Sequence, residues 1–248
     1  MRTIVCCCLF AFLANDVLAD SIEARVEDKR VRLSMRVRED EYAGWQEDDM
    51  ERYARAEKNL EILLEQRPFS KPEILAWQGG TKIYRAILAT EAGNNEEFEK
   101  YFQEARDLFA QARKAGPKHP AVAAIVGGSY VLFADRLPEK YRDDAHAECY
   151  DCYTILWDQQ SRALERLPLH IKGELLAGLA QSAQRTGRDK ELGEYLDKII
   201  EVMPDSHYAE IAEEWKTDPV AAAKGNISCN YCHDEGRLSS RMAKLESN

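Results

Sequence analysis

Long apolar runs are scarce in this chain of 248 residues. Past its first twenty residues nothing approaches the ~20 consecutive apolar residues that a membrane-spanning helix requires. No membrane span is therefore expected. The sequence also lacks HExxH, nucleophile-elbow and Walker motifs, so it names no catalytic constellation. Gly79-Gly80 and Gly127-Gly128-Ser129 do not qualify as phosphate loops, since neither follows a strand or precedes a lysine in the required order. Close helix packing accounts for them better. Positive charge is short as well: 34 Lys and Arg face 44 Asp and Glu, a formal net charge of -10. Such an acidic surface disfavours nucleic acid and anionic lipid as partners.

The exception to the apolar shortage lies at the start. Arg2 precedes an apolar run from Ile4 to Leu13, and Val17-Leu18-Ala19 precedes Asp20. That is the layout of a secretory signal peptide over residues 1–19, with cleavage after Ala19. The mature chain, of roughly 230 residues, is then exported to the periplasm or secreted, and is long enough for a sizeable core. Losing Arg2 together with Asp16 leaves its charge unchanged. Cys6, Cys7 and Cys8 leave with the signal, so four cysteines remain: Cys149, Cys152, Cys229 and Cys232.

Four prolines, Pro68, Pro117, Pro168 and Pro204, end apolar-periodic segments at separations of 49, 51 and 36 residues. The last segment is the clearest. Its Leu176, Leu179, Ala180 and Ala183 mark one helix, Gly187 permits a turn, and Leu192, Leu196 and Ile199 mark a second helix that Pro204 stops. The segment ending at Pro117 carries Trp77, Gly80 and Tyr84, then Ala105, Phe109 and Ala112, with Glu91 to Glu99 lengthening the connection. The one ending at Pro168 is looser, with Val122, Gly127 and Tyr130, an insertion from Leu137 to Ala147, then Leu156 and Ala163. A half unit holds Ala56, Leu60 and Leu63. This pattern resembles tetratricopeptide repeats over about residues 50 to 204. The resemblance implies an all-α fold of stacked antiparallel helical hairpins, a tetratricopeptide-like solenoid, with an irregular C-terminal tail containing cysteines. It also implies a concave groove that takes a protein or peptide partner.

Two flanks differ. From Arg30 to Arg38 the residues alternate, with Val31, Leu33, Met35 and Val37 between polar neighbours. That is a strand period. The segment reads either as an arm or helix lead-in whose basic side chains pair with the acidic body, or as a strand that adds to a partner's sheet. At the other end, Tyr208 to Trp215 resembles a helix that closes a repeat array. The expected organisation is a signal at 1–19, an N-terminal arm at 20–49, a repeat domain at 50–218 and a tail at 219–248.

The tail carries Cys229-Asn230-Tyr231-Cys232-His233. This CxxCH spacing lets two thiols add to haem vinyl groups while the next imidazole ligates iron. Residues Cys232 to Arg237 also resemble the end of helical c-type cytochromes of the cytochrome c-prime kind. The resemblance implies thioether bonds at Cys229 and Cys232 and His233 on the haem iron, without that family's four-helix fold. The spacing assigns no second axial ligand among Met242, His119, His146, His170 and His207. A porphyrin face needs apolar cover, which the short tail lacks, so the helical body must supply it with Trp215 or Tyr231. Two alternatives stay open. Cys149, Cys152, Cys229 and Cys232 can close one tetrahedral zinc site, or the four cysteines can form disulfides. The sequence thus points to an exported scaffold carrying haem c for electron transfer or redox-complex assembly. Its rival is a non-catalytic interaction scaffold with zinc or disulfides.

Overall fold

Prolines and capping side chains set the helix boundaries. The computed structural model describes residues 33–228. The signal at 1–19, the cleavage point before Asp20, Tyr231, Met242 and the CxxCH residues Cys229, Cys232 and His233 lie outside the described residues. Within them the fold is all-α, with ten α-helices and four short 3-10 helices and no strand. The α-helices are α1 Leu33–Glu47, α2 Met50–Gln66, α3 Lys71–Glu91, α4 Asn95–Ala115 and α5 Pro120–Phe133. They continue as α6 Arg142–Gln160, α7 Leu169–Arg185, α8 Asp189–Val202, α9 His207–Thr217 and α10 Pro219–Lys224.

The stop signals act where short-range chemistry puts them. Helix α2 ends just before Arg67-Pro68, α4 before Gly116-Pro117 and α8 before Met203-Pro204, because proline lacks the donor that the next turn needs. Gly93 and Gly187 take positive φ, 75° and 67°, in three-residue turns that reverse the chain between α3 and α4 and between α7 and α8. The Asn94 side chain then accepts from Glu97 N–H, capping α4. Asp218 does the same for α10 through the N–H groups of Val220 and Ala221.

The structure decides three expectations about segments. Of the two readings of Arg30 to Arg38, the helix lead-in holds from Leu33 onward and the strand does not. Tertiary burial overrides the local alternation: Val37 and Ala43 are fully enclosed, and the edge of Gly44 lies against the Tyr53 ring of α2. Asp40 of α1 accepts from Arg52 Nε at 3.1 Å and Arg55 Nε at 2.8 Å of α2, which ties the two helices together. The segment Glu91 to Glu99 is no long connection, because Asn95 to Glu99 belongs to α4. The looser unit closes with a 3-10 helix, Ser161–Arg166, in which Leu164 is buried.

Consecutive helices pack as pairs, α1 on α2, α3 on α4, α5 on α6 and α7 on α8, and the first helices α3, α5 and α7 adjoin in turn. Burial follows the apolar stripes: Leu60, Tyr84, Ala105, Phe109, Leu176, Ala180, Leu196 and Ile199 are all 4% exposed or less. Gly79 and Gly127 sit inside helices, the first under the Phe109 ring and the second against Cys152 and Tyr153. Helix contact, not phosphate binding, is their role. Helix α9 buries Tyr208, Ala212 and Trp215 against α8 and closes that end.

Candidate functional site

The first helices leave an apolar groove of about 380 Å³ between them. Helix α1 contributes Arg38, Tyr42 and Trp45, α3 contributes Trp77, and α5 contributes Ala121, Ala124, Ile125, Gly128 and Leu132. Tyr153 and Leu156 of α6 and His170, Ile171, Glu174 and Leu175 of α7 complete it. The volume is that of an ordinary small-molecule or cofactor site. Its aromatic wall is braced by edge contacts, Tyr42 on Trp45 at 4.9 Å and Trp45 on Phe133 at 5.1 Å between ring centroids.

Three features characterise the lining. Gly128 leaves the floor bare, since a Cβ placed there would meet nothing within 4 Å. Trp77 is 8% exposed, and its indole N–H is buried without an acceptor. Such an orphan donor is uncommon in a folded interior. Ile171 remains 43% exposed at the rim.

The tail is tied to α7 beside this groove. Arg185 donates through Nη1 to the Ala222 carbonyl at 2.9 Å and through Nη2 to that of Gly225 at 2.8 Å. One turn back along α7, Gln181 Oε1 accepts the N–H groups of Ile227 and Ser228 at 3.1 and 3.2 Å, and its Nε2 donates to the Val131 carbonyl and to Asn226. Two turns further back, Ser228 Oγ lies 3.0 Å from Glu174 Oε2, while Tyr208 donates to the other oxygen of Glu174. Residues 225–228 therefore run along α7 toward its N-terminus. Ser228, immediately before Cys229, is 3% exposed and held against a residue that lines the groove. Sequence reading missed Gln181, Glu174 and Arg185. A polar residue at a core position of α7 was the only available signal.

Cys149 and Cys152 stand apart from that site. Both are free and buried one turn apart on α6, and Cys149 Sγ donates to the Gly127 carbonyl at 3.4 Å. Burial pushes the Cys149 thiol well up and that of Cys152 to about 12, which keeps both protonated and unreactive. Near them, Asp135 sits between His146 Nε2 and Arg185 Nη2, each at 3.0 Å. The His146 hydrogen bond and then the Arg185 guanidinium hold its carboxyl well below the usual range. His207 is on α9 beside Glu210, 3.3 Å away, and His119 precedes α5. Among the described residues no group of three or more His, Cys, Asp or Glu is arranged to hold a metal ion, and no helix is long and apolar enough to cross a membrane. No family model, curated protein or solved structure matches this chain.

Proposed function

We propose that this protein is an exported helical carrier of a covalently attached c-type haem, used for electron transfer or for assembling a redox complex. The haem would be bonded at Cys229 and Cys232 with His233 on its iron. The observation that carries the reading is the anchoring of Ser228 beside the groove, so that the residue before the CxxCH sequence is fixed next to an apolar, aromatic surface able to cover a porphyrin. When bound, the group supplies a one-electron couple. The chain's own part is to hold and to shield. Arg185, Gln181 and Glu174 of α7 fix the approach of the tail, and Trp45, Trp77, Ile125 and Leu132 exclude water.

The burial of Cys149 and Cys152 also favours this reading over zinc. A zinc shell would need Cys149 to leave the Gly127 carbonyl, to which its thiol donates at 3.4 Å in the helix contact between α5 and α6. In a colourless chain the exposed Ile171 rim would favour the rival reading, with a protein or peptide partner in the same groove. Expression with its leader in cells that attach haem, followed by haem staining of a denaturing gel, decides between them. Pigment should remain with Cys149→Ala and vanish with the Cys229→Ala, Cys232→Ala pair. A colourless wild-type chain holding one zinc would overturn the proposal.

A further inference from the structure

We propose that the end of the molecule formed by the α2–α3, α4–α5 and α6–α7 connections docks on an anionic phospholipid surface, with Phe69 entering the headgroup layer. The proposal does not depend on the haem. Because the chain reverses from each helix to the next, these three connections share one end, and contacts between them hold it together. Gly116, between α4 and α5, lies against Pro72 at the start of α3, and Gln159 near the end of α6 donates to the Lys118 carbonyl at 2.8 Å. Packed helices stand about 8–10 Å apart, so the tips from α3 to α7 span about 20 Å.

Exposed apolar side chains gather at this end. Phe69, in the short 3-10 helix Pro68–Ser70, is 100% exposed, and Leu169 and Ile171 at the start of α7 are 53% and 43% exposed. Of the described residues only Val220, on α10, is a further large apolar side chain so exposed. A phenylalanine wholly in water contributes no burial to the fold, so an apolar layer that takes it in gains the full transfer term. Pro68 and Pro72 fix the backbone on either side, which keeps the ordering cost of insertion low.

Charge is the second observation. Arg67, Lys71, Lys114, Lys118, Arg162 and Arg166 surround these tips. Among the described residues none of the six side chains makes an ion pair, a hydrogen bond or a ring contact, and of the other described cations only Lys224 shares that state. At the opposite end the cations are taken up, Arg136 by Glu91 and Arg185 by Asp135, while Glu96, Glu97, Asp143 and Asp144 stay exposed. The net charge of -10 is therefore unevenly placed. Four carboxylates share the docking end, Glu65, Glu73, Asp158 and Glu165, and the cations outnumber them. Screening over about 8 Å lets a charged surface feel mainly the end that faces it. The acidity that disfavours anionic lipid for the chain as a whole thus does not govern contact here. A projecting apolar ring flanked by free cations suits a bilayer interface, which takes the ring at the acyl boundary and the cations on its phosphates.

The test is cosedimentation of the purified exported chain with vesicles of phosphatidylglycerol and phosphatidylcholine in equal parts, and with vesicles of phosphatidylcholine alone. Binding should appear on the first only and should weaken as salt is raised. Phe69→Ser should reduce it roughly tenfold, the worth of partly burying a phenylalanine. Arg162→Gln with Arg166→Gln should reduce it roughly twenty-five-fold, at about fivefold for each cation near an anionic surface. Lys190→Gln, exposed at the opposite end, should change nothing. All these side chains are exposed, so circular dichroism should not move. The variants are compared in one and the same chain, so a contribution from any other segment cancels. Equal binding to both vesicle types, or unchanged binding in the Phe69 and arginine variants, refutes the docking end. A chain that stays off both vesicles refutes it too; if that chain forms salt-sensitive oligomers which the same substitutions break, the acidic end of a second copy is the occupant.

Discussion

Gln181→Leu isolates the tail anchor from the rest of the core. The Gln181 side chain is 2% exposed and joins α5, α7 and the tail through four hydrogen bonds. Leucine matches it roughly in size and keeps the helix propensity, but it leaves the N–H groups of Ile227 and Ser228 without an acceptor. Each buried unsatisfied donor costs about 1–3 kcal/mol. The chain has a cheaper route, which is to release residues 226–228 into water. That exchange forfeits mainly the burial of Ile227, now 1% exposed, worth about 1.5–3 kcal/mol for a side chain of that size. The smaller loss governs, so the expected destabilisation is about 1.5–3 kcal/mol. Urea unfolding should show a lower midpoint, and hydrogen exchange should show lost protection at Ile227 and Ser228 while α3 and α4 stay protected. An unchanged midpoint with unchanged protection at those two amides would refute the anchoring.

Three further outcomes follow from the same contacts. Leu196→Ala should cost about 2–4 kcal/mol in a denaturant titration, since Leu196 is 2% exposed within the α8 stripe; a neutral result would remove it from the core. Glu41 is fully enclosed with no partner for either oxygen, and burial, then Glu57 and Asp40, push its carboxyl well above the usual range. Its contribution is therefore complete below the ordinary carboxyl value of about 4.3 and is lost as pH rises through the folded value. Glu41→Gln should match wild type near pH 4 and exceed it in stability at pH 8, and the reverse order would refute the assignment. In a Cys229→Ala, Cys232→Ala background, Cys149 and Cys152 should resist iodoacetamide at pH 8 until denaturant is added; rapid labelling of the folded chain would contradict their burial.

Much of the helical architecture was legible because its determinants are local. Pro68, Pro117 and Pro204 stop helices through their own missing donors, Gly93 and Gly187 turn the chain through their own positive φ, and the Leu176 and Leu196 stripes declare buried faces at a period of 3.6 residues. The spacing of Cys229, Cys232 and His233 points to haem attachment from the sequence alone, and those residues lie outside the described ones. What the sequence by itself could not decide depends on partners far along the chain. Alternation at Arg30 to Arg38 resembled a strand, yet packing of α1 on Tyr53 and the pairing of Asp40 with Arg52 and Arg55 make Leu33 onward helical. The only local sign of Gln181 is a polar side chain among the apolar positions of α7. Its partners lie 45 to 50 residues away in sequence, and those of Glu174 lie 34 and 54 residues away. The groove has the same origin, because its walls come from five helices whose side chains meet only after the pairs have packed. Only the tertiary structure, by closing those long separations, sets residues 225–228 beside it.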